Sequence, residues 1–544
     1  MRTWTKRGLL ALAALTGVTA GLLPVVGHAE APDPGGSGGT GGTVVRTESG
    51  AVRGTENAGT RSFQGIPYAA PPVGDMRWQD PRPAARWEGE RDASKPGTPC
   101  AQAPGEVAEG SLSEDCLYLN VTSPSGTKKG PKPVIVWVHG GGYFMGTGSN
   151  YGPQRLAEQG DAVVVTINYR LGVFGYFGHS GLKGSGTYGL ADQQAAFAWV
   201  RRNAAAFGGD PGNVTVAGQS AGAISNCAHL TSPSATGLFD KAITQSGACD
   251  LDWLANLEFR GDQEAAIFEP LSTVEARGRE TATGAGCPEG DDAETIECLR
   301  GLPVEELLKS QGKFIRPAYG TRVLPTHPAD AVRRGWFHRV PVLSGQTHDE
   351  STASTAVYDQ GPGENQRQPM TEQTFDEVMT ETFGKDEAKV RAEYPREAYD
   401  SAALAWSAIA TDRKWTCNQL TTSRNLSRHV PVFHYEYADP QAPPLSPAPP
   451  QMPMGAQHAS DLWSLFDLFG FPAPLDPAQQ QLSERMIGYW SEFAATGRPG
   501  ADWPEFERKD KPPYVQSLAP GEGGVGPVDL AAEHHCGFWS KFDR

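Results

Sequence analysis

The stretch Asn213-Val-Thr-Val-Ala-Gly-Gln-Ser-Ala-Gly222, continuing as Ala223-Ile-Ser-Asn-Cys-Ala-His-Leu230, decides the fold. Its β-branched start predicts a short buried strand, its later half predicts a helix, and Gly218-Gln-Ser-Ala-Gly222 lies between them. A strand that turns abruptly into a helix with a serine at the apex is a nucleophile elbow. Glycines flank the serine because a Cβ at either place would meet the neighbouring chain, and the turn pushes the Ser220 hydroxyl outward. Context carries the reading, not the motif: Gly35-Gly-Ser-Gly-Gly39 has the same G-x-S-x-G pattern with no strand before it and no helix after it.

Outward from the elbow, short β-branched runs predict further buried strands at Pro133–His139, Ala162–Asn168, Val340–Leu343 and Val430–Tyr437. Between Ala162–Asn168 and the elbow strand, Leu190–Phe207 has apolar residues at helical spacing and good helix formers throughout. Strands alternating with helices predict an α/β fold with a mostly parallel sheet, and such sheets bind ligands at the carboxyl ends of their strands. The Pro-rich stretch Asp439–Pro453 is flanked by strand and helix patterns and reads as a long loop over one domain.

At 544 residues with 38% hydrophobic content, the chain can bury a large core without dividing into several domains. Its formal net charge of −16 disfavours nucleic acid and anionic membranes as partners. Residues 1–29 carry Arg2, Lys6 and Arg7, an uncharged apolar run from Gly8 to Val26, and a small-residue ending. That pattern predicts a secretory signal peptide, with no stable membrane association after its cleavage. An uncleaved anchor is the alternative, and Pro24 with the small residues after it argues against that. Residues 30–43 read as a flexible Gly/Pro/Ser linker, and 44–544 as the catalytic domain. Eight cysteines in an exported chain point to disulfides, although eight allow 105 connectivities. Neither C-x-x-C nor H-E-x-x-H occurs, so no metal is expected.

Acyl transfer by a serine needs a base for its proton, a group that orients the base, and donors for the tetrahedral oxyanion. His139-Gly-Gly-Gly142 directly follows a predicted strand, and its unobstructed N–H groups can converge on an oxyanion together with that of Ala221. Here the chain resembles the type-B carboxylesterase family, which includes carboxylesterases, cholinesterases and bacterial para-nitrobenzyl esterases. The likeness runs from Val44 to Phe542 through Phe63-Gln-Gly-Ile-Pro-Tyr-Ala69, Glu114-Asp-Cys-Leu-Tyr-Leu-Asn120, Asn168-Tyr-Arg-Leu-Gly172, the segments Tyr188–Gln194 and Phe207–Asn213 leading into the elbow, and Gln245-Ser-Gly247.

The resemblance implies an α/β-hydrolase fold with long loop insertions over the site, and a serine carboxylic-ester hydrolase without cofactor. It assigns the nucleophile to Ser220, the acid to Glu350 in Gly345-Gln-Thr-His-Asp-Glu-Ser351, the base to His458 in Gly455-Ala-Gln-His-Ala-Ser-Asp-Leu462, and the oxyanion donors to Gly141, Gly142 and Ala221. The chain order Ser, Glu, His is that of α/β-hydrolases. Ser351 stands where the family has glycine, which leaves Asp349 as a second candidate for the acid. The resemblance also pairs Cys100 with Cys116, Cys287 with Cys298 and Cys417 with Cys536, and suggests ion pairs Arg77–Glu114 and Arg170–Asp192. Cys227 and Cys249 remain, either as a fourth bridge or as two buried thiols.

Residues 101–115 contain no aromatic residue to hold a quaternary ammonium, so a choline ester is disfavoured, and Gln219 replaces the glutamate usual in the animal enzymes. The expected partner is a small-molecule ester, its acyl and alcohol pockets shaped by loops such as Thr352–Met370; the sequence leaves the ester itself and the oligomeric state open. Two alternatives share the fold. One is a lipase acting on long-chain esters at lipid surfaces, the other a binding module without catalysis.

Overall fold

The computed structural model describes residues 42–125, 130–361, 366–445, 451–507, 509 and 512–542. The expected signal segment (1–29) and nearly all of the linker (30–43) lie outside them.

One sheet of eleven strands organises the described residues. In chain order its strands are β1 (Thr55–Asn57), β2 (Thr60–Pro67), β3 (Tyr118–Pro124), β4 (Lys132–Val138), β5 (Val163–Ile167), β6 (Gly209–Gln219), β7 (Lys241–Gln245), β8 (Val342–Thr347), β9 (Val432–Tyr437), β10 (Gln516–Leu518) and β11 (Val525–Pro527). Their spatial order is β11-β10-β9-β8-β7-β6-β4-β5-β3-β2-β1. From β10 to β5 every pairing is parallel, and both edges are antiparallel. The expected mostly parallel sheet is therefore the centre of a larger mixed one.

Alternation along the strands builds two cores. Val134, Val136 and Val138 of β4 point to one face, where Phe197, Trp199 and Val200 of helix α1 (Tyr188–Asn203) and Ile224 of helix α2 (Ala221–Thr231) cover them. Ile135 and Trp137 point to the other, toward Leu482, Met486, Ile487, Trp490 and Phe493 of a long helix, Pro477–Thr496. Both faces being covered, the central strands carry apolar residues almost continuously, the pattern from which they were read.

At the carboxyl end of β6 the chain reverses into α2 through Ser220, at φ 55° and ψ −125°. A Cβ on Gly222 would lie 1.9 Å from the carbonyl oxygen of Val138, and one on Gly218 would lie 2.8 Å from that oxygen and 2.7 Å from the Gly222 carbonyl carbon. The two glycines thus let β6, β4 and α2 meet. Gly222→Ala is expected to cost more than about 4 kcal/mol, enough to lose most soluble protein, because backbone must move to admit the methyl group. Gly537→Ala, where a Cβ meets nothing within 4 Å, is the matched control for a comparison of denaturation midpoints, and equal stability of the two variants would refute the steric account.

The four disulfides are Cys100–Cys116, Cys227–Cys249, Cys287–Cys298 and Cys417–Cys536. Cys227 of α2 and Cys249, beyond β7, are thus bridged. Arg170 and Asp192 form a fully buried bidentate pair at 2.7 Å, while Arg77 reaches Glu114 at 2.7 Å through Nε and caps the carbonyls of Arg300 and Leu302 at 3.0 and 2.9 Å.

Candidate active site

Apart from His458, each expected site residue sits where a strand of the parallel centre ends. Ser220 follows β6, the glycine loop follows β4, and Glu350 lies three residues beyond β8. His458 comes from a long excursion after β9. Gly345 makes the β8–β9 pairing possible here, since a Cβ on it would stand 2.3 Å from the Tyr435 ring.

Glu350 is buried; one carboxylate oxygen accepts the N–H of Thr347 at 2.9 Å and the other contacts Nδ1 of His458. The Gln219 side-chain amide lies 3.0 Å from His458 Nε2. With that amide donating, Nε2 is an acceptor and the imidazole proton sits on Nδ1 facing Glu350. Asp349 is turned elsewhere: its carboxylate accepts the N–H of Ala456 at 2.9 Å and stands 3.1 Å from His348 Nδ1. Gly455 admits that carboxylate, because a Cβ on it would lie 2.1 Å from Asp349 Oδ2. Asp349 therefore fastens the loop that carries His458.

The glycine loop is held from below. His139 is buried, stacks on Tyr169 with centroids 4.4 Å apart, and bonds through Nδ1 to the carbonyl of Gly140 at 2.9 Å. Burial pushes its pKa down to about 4, so it is a neutral prop. Gly141 and Gly142 both have positive φ, 89° and 59°; a Cβ on Gly141 would stand 2.2 Å from the Met145 carbonyl oxygen.

Gly142, Ser220 and Ala221 open onto a cavity of about 670 Å³. Its walls differ from the sequence expectation. Residues 251–267 supply half of the lining, with Phe144, Ile315, Arg316, Lys414 and Trp415 among the rest, whereas no described residue of the loop Thr352–Met370 lines it. Lys414 and Trp415 come from a π-helical segment, Thr411–Thr416, between helices Ala402–Ala410 and Cys417–Leu426. Such wide turns swing side chains off a helix axis and are frequent at functional sites. Trp415 packs on the His458 ring at 4.6 Å, and Lys414 lies over the Trp253 and Trp415 rings at 4.9 and 4.5 Å.

The Lys414 ammonium is also 3.1 Å from Glu258, which accepts from Trp415 Nε1 and the Ser351 hydroxyl at 3.2 Å. Burial raises the Glu258 carboxyl, but the Lys414 charge and the hydrogen bonds from Lys414 and Trp415 override it and hold the group below its ordinary value. Ser351 sits at φ −99°, a region open to any residue, so the loop carries serine here without strain. Sequence reasoning missed Glu258, Lys414 and Trp415 entirely.

Asp461, three residues past His458, is fully buried; it accepts from Gln245 Nε2 at 2.8 Å, while Oδ1 has no partner among the described residues. Burial, opposed by the Gln245 bond, raises its pKa to about 6. A carboxyl whose folded pKa exceeds its unfolded value near 3.9 loses stability as pH climbs from about 4 to about 6. Asp461→Asn is expected to gain stability relative to the parent across that window and to keep the gain above it. Melting temperatures of both proteins from pH 4 to 8 check this, and a difference independent of pH would refute it.

Residues 41–539 match the Carboxylesterase family. The chain belongs to that family. This esterase is 34% identical over 504 residues to the para-nitrobenzyl esterase of Bacillus subtilis (strain 168), covering 86% of this chain and 93% of that one. It is 33% identical over 517 residues to a cocaine esterase of Oryctolagus cuniculus, covering 88% and 93%. A solved PNB esterase superposes with a TM-score of 0.71 at 29% identity, covering 91% of this chain and 98% of that structure. The carboxylesterase is thus an α/β-hydrolase that cleaves carboxylic esters.

Proposed function

We propose that this carboxylesterase works through an acyl-enzyme on Ser220. Ser220 Oγ attacks the ester carbonyl as His458 Nε2 takes its proton, Glu350 holds the imidazole through Nδ1, and the N–H groups of Gly141, Gly142 and Ala221 receive the oxyanion. His458 then protonates the leaving alcohol, and water activated by the same imidazole releases the acid. The contact of Glu350 with His458 Nδ1 beside the elbow carries the reading. For Ser220 to engage Nε2, Gln219 must give up its bond to that nitrogen.

The cavity walls, with Leu251, Trp253, Phe259, Ile267 and Trp415, suit small esters with an apolar body. Export fits the pattern of residues 1–29 and the four disulfides; on this reading 30–43 is a tether and 44–544 the catalytic domain. Hydrolysis of dissolved short-chain and emulsified long-chain esters tests the proposal. The expected outcome is a higher kcat/KM on the dissolved esters; a rate that rises only once an oil–water interface forms would make the protein a lipase, and no turnover of either would make it a binding module.

A further inference from the structure

A second cluster of reactive side chains lies on the other side of Asp349. The parallel register of β8 and β9 pairs Gln346 with Glu436 and Thr347 with Tyr437, so His348, just past β8, lands beside Glu436. The carboxy-terminal turns bring in His534, which is anchored close by through the Cys417–Cys536 disulfide. One ligand atom from each of His348, Glu436 and His534 lies within 4.8 Å of the others. Glu436 and His534 are buried, and His348 is partly open to solvent.

Every imidazole nitrogen in the cluster faces a carboxylate. His534 Nδ1 is 2.5 Å from Asp412 and its Nε2 is 2.6 Å from Glu436. His348 Nδ1 is 3.1 Å from Asp349 and its Nε2 is 3.2 Å from Glu533. Two imidazoles, even both protonated, leave two of the four carboxylate charges uncompensated. A divalent cation in place of the protons on the two Nε2 atoms keeps the formal charge of the cluster the same and gives each nitrogen an electron-pair acceptor.

We propose that His348 Nε2, His534 Nε2 and Glu436 form a transition-metal site of the zinc type, with Glu533 or water as fourth ligand. The donor set is two imidazoles and a carboxylate, which favours zinc over the oxygen-seeking magnesium or calcium. Each histidine keeps its Nδ1–H on a carboxylate, Asp349 or Asp412, the arrangement that orients metal-binding imidazoles. Asp412 is itself held by the Tyr394 hydroxyl at 2.7 Å. An opening of about 420 Å³ lined by His348, Asp412, Glu533 and His534 gives an ion a way in. The ligands come from residues 348, 436 and 534, so no compact motif announces them. A bound ion would tie together the ends of β8 and β9 and the carboxy-terminal turns, next to the loop that presents Glu350.

The test uses the whole mature chain without a histidine tag, stripped with chelator and titrated with cobalt(II) and with zinc. The expected result is one equivalent retained after gel filtration, a visible cobalt spectrum of low coordination number, and a higher melting temperature with zinc. His348→Gln, at the open edge of the cluster, is expected to weaken binding about a hundredfold while circular dichroism stays unchanged. His338→Gln, remote from the cluster, is expected to bind as the parent does. Glu436→Gln supplies a second, independent ligand deletion should His348→Gln fail to fold. Failure of the parent to retain either metal, or equal retention by the folded ligand variants, would overturn the proposal and leave the cluster a network of ion pairs.

Discussion

Replacing Ser220 with alanine is expected to lower ester turnover by about a millionfold and to abolish covalent labelling by an organophosphate. The residue sits at φ 55° between β6 and α2, a conformation imposed by the packing of Gly218 and Gly222 against Val138, not by the hydroxyl. Alanine therefore inherits the backbone strain unchanged, and the variant should fold. Residual turnover would come from the N–H groups of Gly141, Gly142 and Ala221 and from substrate positioning. Mass spectrometry of the labelled protein gives the readout. Ser246, also at positive φ, is buried and offers no competing nucleophile to a substrate. Stoichiometric labelling of the folded variant at any other serine would remove Ser220 from the mechanism.

Local signals made the elbow legible. A β-branched run, two glycines whose Cβ atoms would collide and a following helix are all contiguous, so their joint meaning needs no tertiary information. Five of the seven strands of the parallel centre were legible because burial on both faces leaves continuous apolar runs, whereas β7, Lys-Ala-Ile-Thr-Gln, and β10, Gln-Ser-Leu, carry too few apolar residues to announce themselves. The antiparallel edge strands were not: β1, Thr-Glu-Asn, is fully exposed and carries no hydrophobic signal. Glu350 and His458 became visible only through resemblance to a family, since each lies in its own distant segment. The cavity walls escaped because they depend on where a π-helical turn rotates Lys414 and Trp415, and sequence periodicity does not reveal one extra residue in a turn. Thr352–Met370 was expected to help shape the pocket, whereas none of its described residues lines the cavity and residues 251–267 take that place.

Glu350→Gln is expected to cost on the order of 10⁴ in kcat, and Asp349→Asn far less. The two carboxylates are adjacent in sequence but turned to different partners. Glu350 contacts His458 Nδ1 with one oxygen and takes the Thr347 N–H with the other at 2.9 Å. A glutamine there can offer its amide N–H to Nδ1, which places the imidazole proton on Nε2 and leaves no lone pair for the Ser220 proton. It also removes the negative charge that stabilises the imidazolium formed during attack. Asp349 instead accepts the Ala456 N–H at 2.9 Å, a bond an asparagine carbonyl can keep. Its replacement should lower the melting temperature slightly by loosening the loop that carries His458, with a small effect on turnover. Steady-state kinetics on both variants, each shown folded by circular dichroism, decides between them: if Asp349→Asn proved the more damaging to kcat, the acid would lie one residue earlier, and His458 would have to be held by a different carboxylate in the working enzyme.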